Sequence, residues 1–115
     1  MSRDLILAVN PGTTTTRCAL FLHGAEGLTA IAEQTLDHDE TAMIQFGSIA
    51  AQLPYRADCV SEFLASSMQC GDQLIACAGR GGMLTPVPPG VIEVNAQLVA
   101  FALHTPTYHH ASNLG

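Results

Sequence analysis

The chain has 115 residues, room for one domain, with 48% hydrophobic but only 12% charged residues, about half the charged share of a typical soluble domain. Its net charge is −6, and Arg3, Arg17, Arg56 and Arg80 are the only cations. That excludes a nucleic-acid or anionic-membrane surface built on clustered cations, but not a small phosphate ligand, which backbone N–H groups hold without net charge.

Leu5 to Val9 reads as a short, fully apolar strand, and Thr15 to Leu22 as a second, with Cys18, Leu20 and Leu22 on one side. The Pro11-Gly12 turn between them makes a hairpin. After a turn over His23 to Gly27, the alternation from Leu28 to Leu36 predicts a third strand. The chain therefore opens as an antiparallel meander. Helical periods follow: Ala42 to Leu53, then Tyr55 to Met68, with Pro54 between them and Gly71 as the stop. Leu74 to Ala78 reads as a buried strand running into Gly79-Arg80-Gly81-Gly82. Met83 to Val94 is Pro-rich and reads as irregular or as an edge strand. Asn95 is an N-cap for a helix from Ala96 to about Leu103. The polar segment from His109 to Gly115 has the look of a functional loop.

No two of Cys18, Cys59, Cys70 and Cys77 form a C-x-x-C pair, which speaks against zinc; reduced thiols are expected, with Cys18 and Cys77 in the core. The apolar start is too short for a signal-peptide core, so a cytoplasmic protein is expected. No apolar run approaches the roughly 20 residues of a membrane span.

Three segments carry chemistry. In Asn10-Pro11-Gly12-Thr13-Thr14-Thr15-Thr16, a glycine turn lets N–H groups approach phosphate oxygens and the threonine hydroxyls add neutral donors. Asn10 ends a buried strand, where it can hold a phosphate oxygen or a metal-bound water. The plainer reading is a Thr-rich hairpin turn. In Gly79-Arg80-Gly81-Gly82, a permanently charged planar fork between glycines matches a carboxylate or phosphate; the plainer reading is a solvated Arg on a surface loop. His110, beside Ser112 and Asn113, can donate to a phosphoryl group in transit. His104 and His109 read as structural, His23 and His38 as solvated turn residues.

Taken together, these segments resemble the acetate/butyrate kinase family, its butyrate branch most closely. "LILAVNPGTTTTRCALF" is similar to that family's phosphate-binding hairpin, "ACAGRGGMLTPVPPGVIEVN" to its substrate-arginine loop, and "HHASNLG" to its His-x-x-Asn segment. The hairpin alone is shared with sugar kinases, actin and Hsp70 chaperones. The sequence departs at Arg17, where Lys is usual, at Pro89, where Gly is usual, and at Val91-Ile92, which replace Thr-Tyr.

The resemblance implies an α/β fold, part of an actin-like (ribonuclease H-like) ATPase domain with a mixed sheet opened by the meander and flanked by helices. Family members are roughly three times longer. Residues 1–115 are accordingly expected to be the N-terminal part of the first domain, inactive alone, with the nucleotide-binding second domain elsewhere. The implied reaction is transfer of the γ-phosphoryl of ATP to a short-chain carboxylate, butyrate favoured, with Mg2+, in a homodimer. Arg80 and His110 would be catalytic. Asn10, Gly12, Thr13, Thr14, Thr15, Thr16 and Arg17 would bind phosphate, and Arg80, Gly81, Gly82 and Asn113 the acid. Asn10 would reach the metal through water. The alternatives are a non-catalytic nucleotide-binding regulator or chaperone-like module of the same superfamily, and a structural piece that binds nothing.

Overall fold

A computed structural model describes residues 2–80, 90–104 and 110–115. The meander forms as the alternation predicts: β1 spans Asp4–Pro11, β2 Thr15–Gly24 and β3 Gly27–Asp37. β1 pairs antiparallel with β2, and β2 with β3. On β1, Leu5 and Leu7 are buried while Ile6 and Ala8, which alternate with them, are half-buried, the period of two that a strand with one covered face must show.

The stretch expected as one helix over 42–53 is broken. α1 covers only Glu40–Gln45, capped by Asp39, whose carboxylate accepts the Thr41 N–H at 2.9 Å. Gly47 and Ser48, both weak helix formers, follow its end, and a single 3-10 turn over Ala50–Gln52 leads into α2, Leu53–Ser67. Pro54 sits in the first turn of α2, where its missing N–H costs nothing.

α2 carries the chain back so that β4, Gln73–Gly79, lies parallel to β1. The sheet order is β3-β2-β1-β4, a mixed four-stranded sheet. Arg3 and Asp72 pin the start of β4: Nε and Nη2 of Arg3 donate to the two carboxylate oxygens at 2.9 and 2.8 Å. The Arg3 hydrogen bonds, joined by the Gln69 N–H, hold the Asp72 carboxyl down to about 2.

The core lies between one sheet face and α2. Leu5, Leu7, Cys18, Leu20 and Phe63 are buried there, with Val60, Leu64 and Met68 packed against them. Each such leucine contributes about 1.5–3 kcal/mol by leaving water. Two expectations fail on β4. Its side chains are largely exposed, Cys77 and Ile75 included, because among the described residues β4 is at the edge of the sheet and α2 packs over β2 and β3, so that of β4 only Leu74 reaches the core. All four cysteines are free thiols, and Cys18 alone is buried.

α3, Ala96–His104, is capped as expected, the Leu98 N–H donating to Asn95 Oδ1 at 2.8 Å. Residues 111–114 form a last 3-10 turn. Among the described residues no helix is long and apolar enough to cross a membrane.

Candidate functional site

β1 and β4 run the same way, so their C-terminal ends lie side by side. Val9 pairs with Gly79, and the Arg80 N–H donates to the Val9 carbonyl at 2.9 Å. Ligands of α/β sheets bind outside such carboxyl ends. The end of the chain packs there too. A Cβ placed on Gly79 would collide with the Gly115 backbone, and one on Gly115 would lie 2.7 Å from the Arg80 carbonyl oxygen and 3.2 Å from Pro11 Cδ. The hairpin, the arginine segment and the segment after His110 therefore meet at one end of the sheet, although they lie far apart in sequence.

Two clefts flank this junction. The one on the face away from α2, about 370 Å3, is lined by Val9, Asn10, Arg17, Glu33, Gly79 and Arg80. Asn10 and Arg17 are register partners across β1 and β2. Arg17 reaches Glu33 at 3.4 Å, with both side chains about 60% exposed (60% and 64%). Such an exposed pair is worth little to stability. Arg80 is exposed at the mouth. The cleft on the α2 side, about 280 Å3, is lined among others by Pro11, Thr16, Arg56, Val60 and Leu114.

The threonine turn is organised from below by a residue that carried no signal in the sequence. Arg56, on α2, is 3% exposed. Its Nη2 donates to the carbonyls of Gly12 (2.7 Å) and Thr13 (3.1 Å), and Nη1 to the Thr15 carbonyl (3.0 Å) and Thr16 Oγ1 (3.1 Å). Nε donates to Gln52 Oε1 at 3.1 Å. The two remaining links close the turn: Gly12 N–H to the Thr15 carbonyl at 2.7 Å, and His38 N–H to the Thr14 carbonyl at 2.8 Å. A Cβ on Gly12 would come within 2.9 Å of Thr15 Oγ1, a contact that rotation of the threonine side chain relieves.

His38 is not the solvated turn residue expected. It is 6% exposed, its Nε2 lies 2.8 Å from Thr16 Oγ1, and its ring meets Tyr55 edge-on at 5.2 Å between centroids. Burial, and then the Arg56 charge, push its pKa down, against a smaller opposing pull from Asp37. It is therefore a neutral imidazole near pH 7. Its Nδ1 is buried without a partner among the described residues. A polar residue just before a helix cap and an arginine four residues after a glutamine were the only traces of this network in the sequence.

Of the expected site residues, Thr13 is exposed, Gly12, Thr14 and Thr15 are half-buried, and Thr16 faces inward. Asn10, Arg17 and Arg80 line one cleft. His110 is exposed just before the last turn, whose backbone includes Asn113. Gly81, Gly82, Pro89 and His109 lie outside the described residues. No three His, Cys, Asp or Glu side chains gather as a metal site among the described residues.

No family model matches the chain. It is 36% identical over 113 residues to a protein of Enterococcus faecalis described as a probable butyrate kinase, covering 97% of this chain and 29% of that protein. It is also 36% identical over 110 residues to a probable butyrate kinase of Coprothermobacter proteolyticus, covering 96% of this chain and 30% of that protein. The chain thus spans about 30% of the length of the curated relatives it matches.

Proposed function

We propose, from the premise that this chain belongs to the butyrate kinase family, that the intact protein moves the γ-phosphoryl of ATP onto a short-chain carboxylate, butyrate favoured, giving an acyl phosphate and ADP. Residues 1–115 would supply the phosphate-binding part of the first domain of an actin-like ATPase, and the acid-binding arginine. The observation that carries the reading is the meeting of Asn10, Arg17 and Arg80 around one cleft at the carboxyl ends of β1 and β4.

The chemistry asks for positioning more than for proton transfer. A carboxylate is already ionised at neutral pH and needs no general base. One of its oxygens attacks the γ-phosphorus while the bond to the β,γ-bridging oxygen breaks, and ADP leaves with that electron pair. The task is to bring two anions into line and to neutralise the charge between them.

Arg80 would clamp the carboxylate and the incoming phosphoryl. His110 would hydrogen-bond the phosphoryl in transit. Asn113, Gly81 and Gly82 would complete the acid's surroundings. Asn10, Arg17 and the Gly12–Thr16 turn would orient the phosphates. The described residues fit magnesium as a nucleotide complex rather than as an ion in a protein cage, because no carboxylate set gathers here and Mg2+ keeps waters and substrate phosphates as ligands. When bound it neutralises phosphate charge, and Asn10 would hold one of its waters.

The test is acyl phosphate formation by the intact protein, trapped as the hydroxamate, with acetate, propionate and butyrate compared. Butyrate-dependent product is expected. ATP binding without product from any of the three acids would leave the non-catalytic nucleotide-binding module as the better reading.

A further inference from the structure

Four consecutive carbonyls of the threonine turn are all engaged on the protein side. Gly12 and Thr13 are held by Arg56, Thr14 by the His38 N–H, and Thr15 by both Arg56 and the Gly12 N–H. Every one of the five guanidinium N–H donors has an oxygen acceptor within the protein. Arg56 thus has no donor left for a ligand. By contrast, the N–H groups of Thr13 and Thr14 donate to no protein acceptor among the described residues. A turn with its carbonyls drawn inward and its amides left over is polarised toward an anion outside.

The charge balance points the same way. No carboxylate forms an ion pair with Arg56 among the described residues, and burial lowers its pKa. A buried cation whose partners are only neutral dipoles is costly to fold around. Its positive potential is left standing directly behind the turn, in a setting that screens it poorly.

We propose that Arg56 is a positioning residue for the phosphate cradle. It draws the Gly12, Thr13 and Thr15 carbonyls away from the ligand and supplies the fixed positive charge that the nucleotide's phosphates neutralise from the other side. The inference rests on the phosphate-binding reading of the turn, but not on the carboxylate chemistry. It also explains why a planar fork is needed. A lysine ammonium at this place offers three donors from one point and cannot span three carbonyls and a hydroxyl.

The experiment uses the intact protein and measures Kd for ATP, pyrophosphate and adenosine, together with Tm, for the wild type and two variants. Arg56→Lys keeps the charge and loses the fork. It is expected to weaken ATP and pyrophosphate about tenfold, the scale of one charged hydrogen bond lost, with adenosine unchanged. Gln52→Glu keeps the shape and places a carboxylate against Nε, 3.1 Å away in the wild type. It is expected to weaken ATP and pyrophosphate about threefold through the lost potential while Tm holds or rises. That pattern, a better-paired fold with poorer phosphate binding, is one a purely structural arginine would not produce.

Gln52→Glu decides the matter if Arg56→Lys does not fold. Wild-type phosphate affinity in Gln52→Glu, or equal losses for ATP and adenosine in Arg56→Lys, overturns the proposal. The two readings separate cleanly. Pyrophosphate binding that follows the variants, in a protein that makes no acyl phosphate, keeps the clamp and removes the kinase chemistry. Acyl phosphate formation with variant-independent phosphate affinity does the reverse. A wild type that binds neither ATP nor pyrophosphate removes both.

Discussion

Arg56 and Arg80 stand at the same end of one sheet and are used in opposite ways. Arg56 is buried, its donors all spent on oxygens of its own chain. Arg80 is exposed at the end of an edge strand and lines an open cleft, anchored through its backbone N–H to Val9. The first arginine is spent on its own chain, and the second is left at the surface, where the proposed function gives it a ligand. A guanidinium can do either, and the difference lies only in how many acceptors the fold brings to it before a ligand arrives.

The largest test of that contrast is Arg80→Ala in the intact protein. Turnover is expected to fall roughly 10²-fold or more, the loss of a charged contact made in the transition state, with Tm close to wild type. Arg80→Lys should recover little. Wild-type turnover in Arg80→Ala would take the carboxylate clamp out of the mechanism.

His110→Ala tests the neighbouring segment. A group that acts only in the transition state lowers kcat and leaves KM alone, so a drop of roughly 10²-fold in kcat with unchanged KM for ATP and the acid is expected, and much less from His109→Ala. A raised KM for the acid with normal kcat would make His110 a ground-state binder.

Thr16 and Thr13 sharpen the comparison within the turn itself. Thr16→Val leaves an Arg56 donor and His38 Nε2 without their shared hydroxyl and should cost about 1–3 kcal/mol of stability, the penalty of a buried group left unpaired. Thr13→Val, at an exposed position, should change stability by no more than about 0.5 kcal/mol. Urea unfolding of the two variants measures the difference, and equal losses would mean that the inward network is not what holds the turn.

The smallest expected effect is a pH dependence. The His38 pKa is lowered in the folded state, chiefly by burial and then by Arg56, with Asp37 opposing and the Tyr55 ring covering one side. A neutral buried histidine contributes fully above its unfolded pKa of about 6.5, and the contribution is lost as the pH falls below it. Tm should therefore decline from pH 7.5 to 5.5 more steeply in the wild type than in His38→Gln. Parallel slopes would show that His38 does not titrate in this range.

The local elements were legible in the sequence because their causes are local. Alternation of apolar residues, a glycine turn and an asparagine cap produced the meander, the hairpin and α3 within a residue or two of where they stand. Asn10, the threonines, Arg80 and His110 stood out because their residue types carry chemistry wherever they are placed. Burial of β4 and of Cys77 was misread because an apolar run says that a strand can be covered, and only the sheet order says whether it is. Arg56 and His38 were invisible for a related reason. An arginine on a helix and a histidine before one are ordinary in sequence, and their roles arise from acceptors some 22 to 44 positions away. Residue types and their spacing thus determined the strands, the caps and the list of reactive groups. Which groups stay at the surface and which are spent inside was decided by the packing of α2 against the hairpin, because a hydrogen bond is settled by distance in space and chain order does not set that distance.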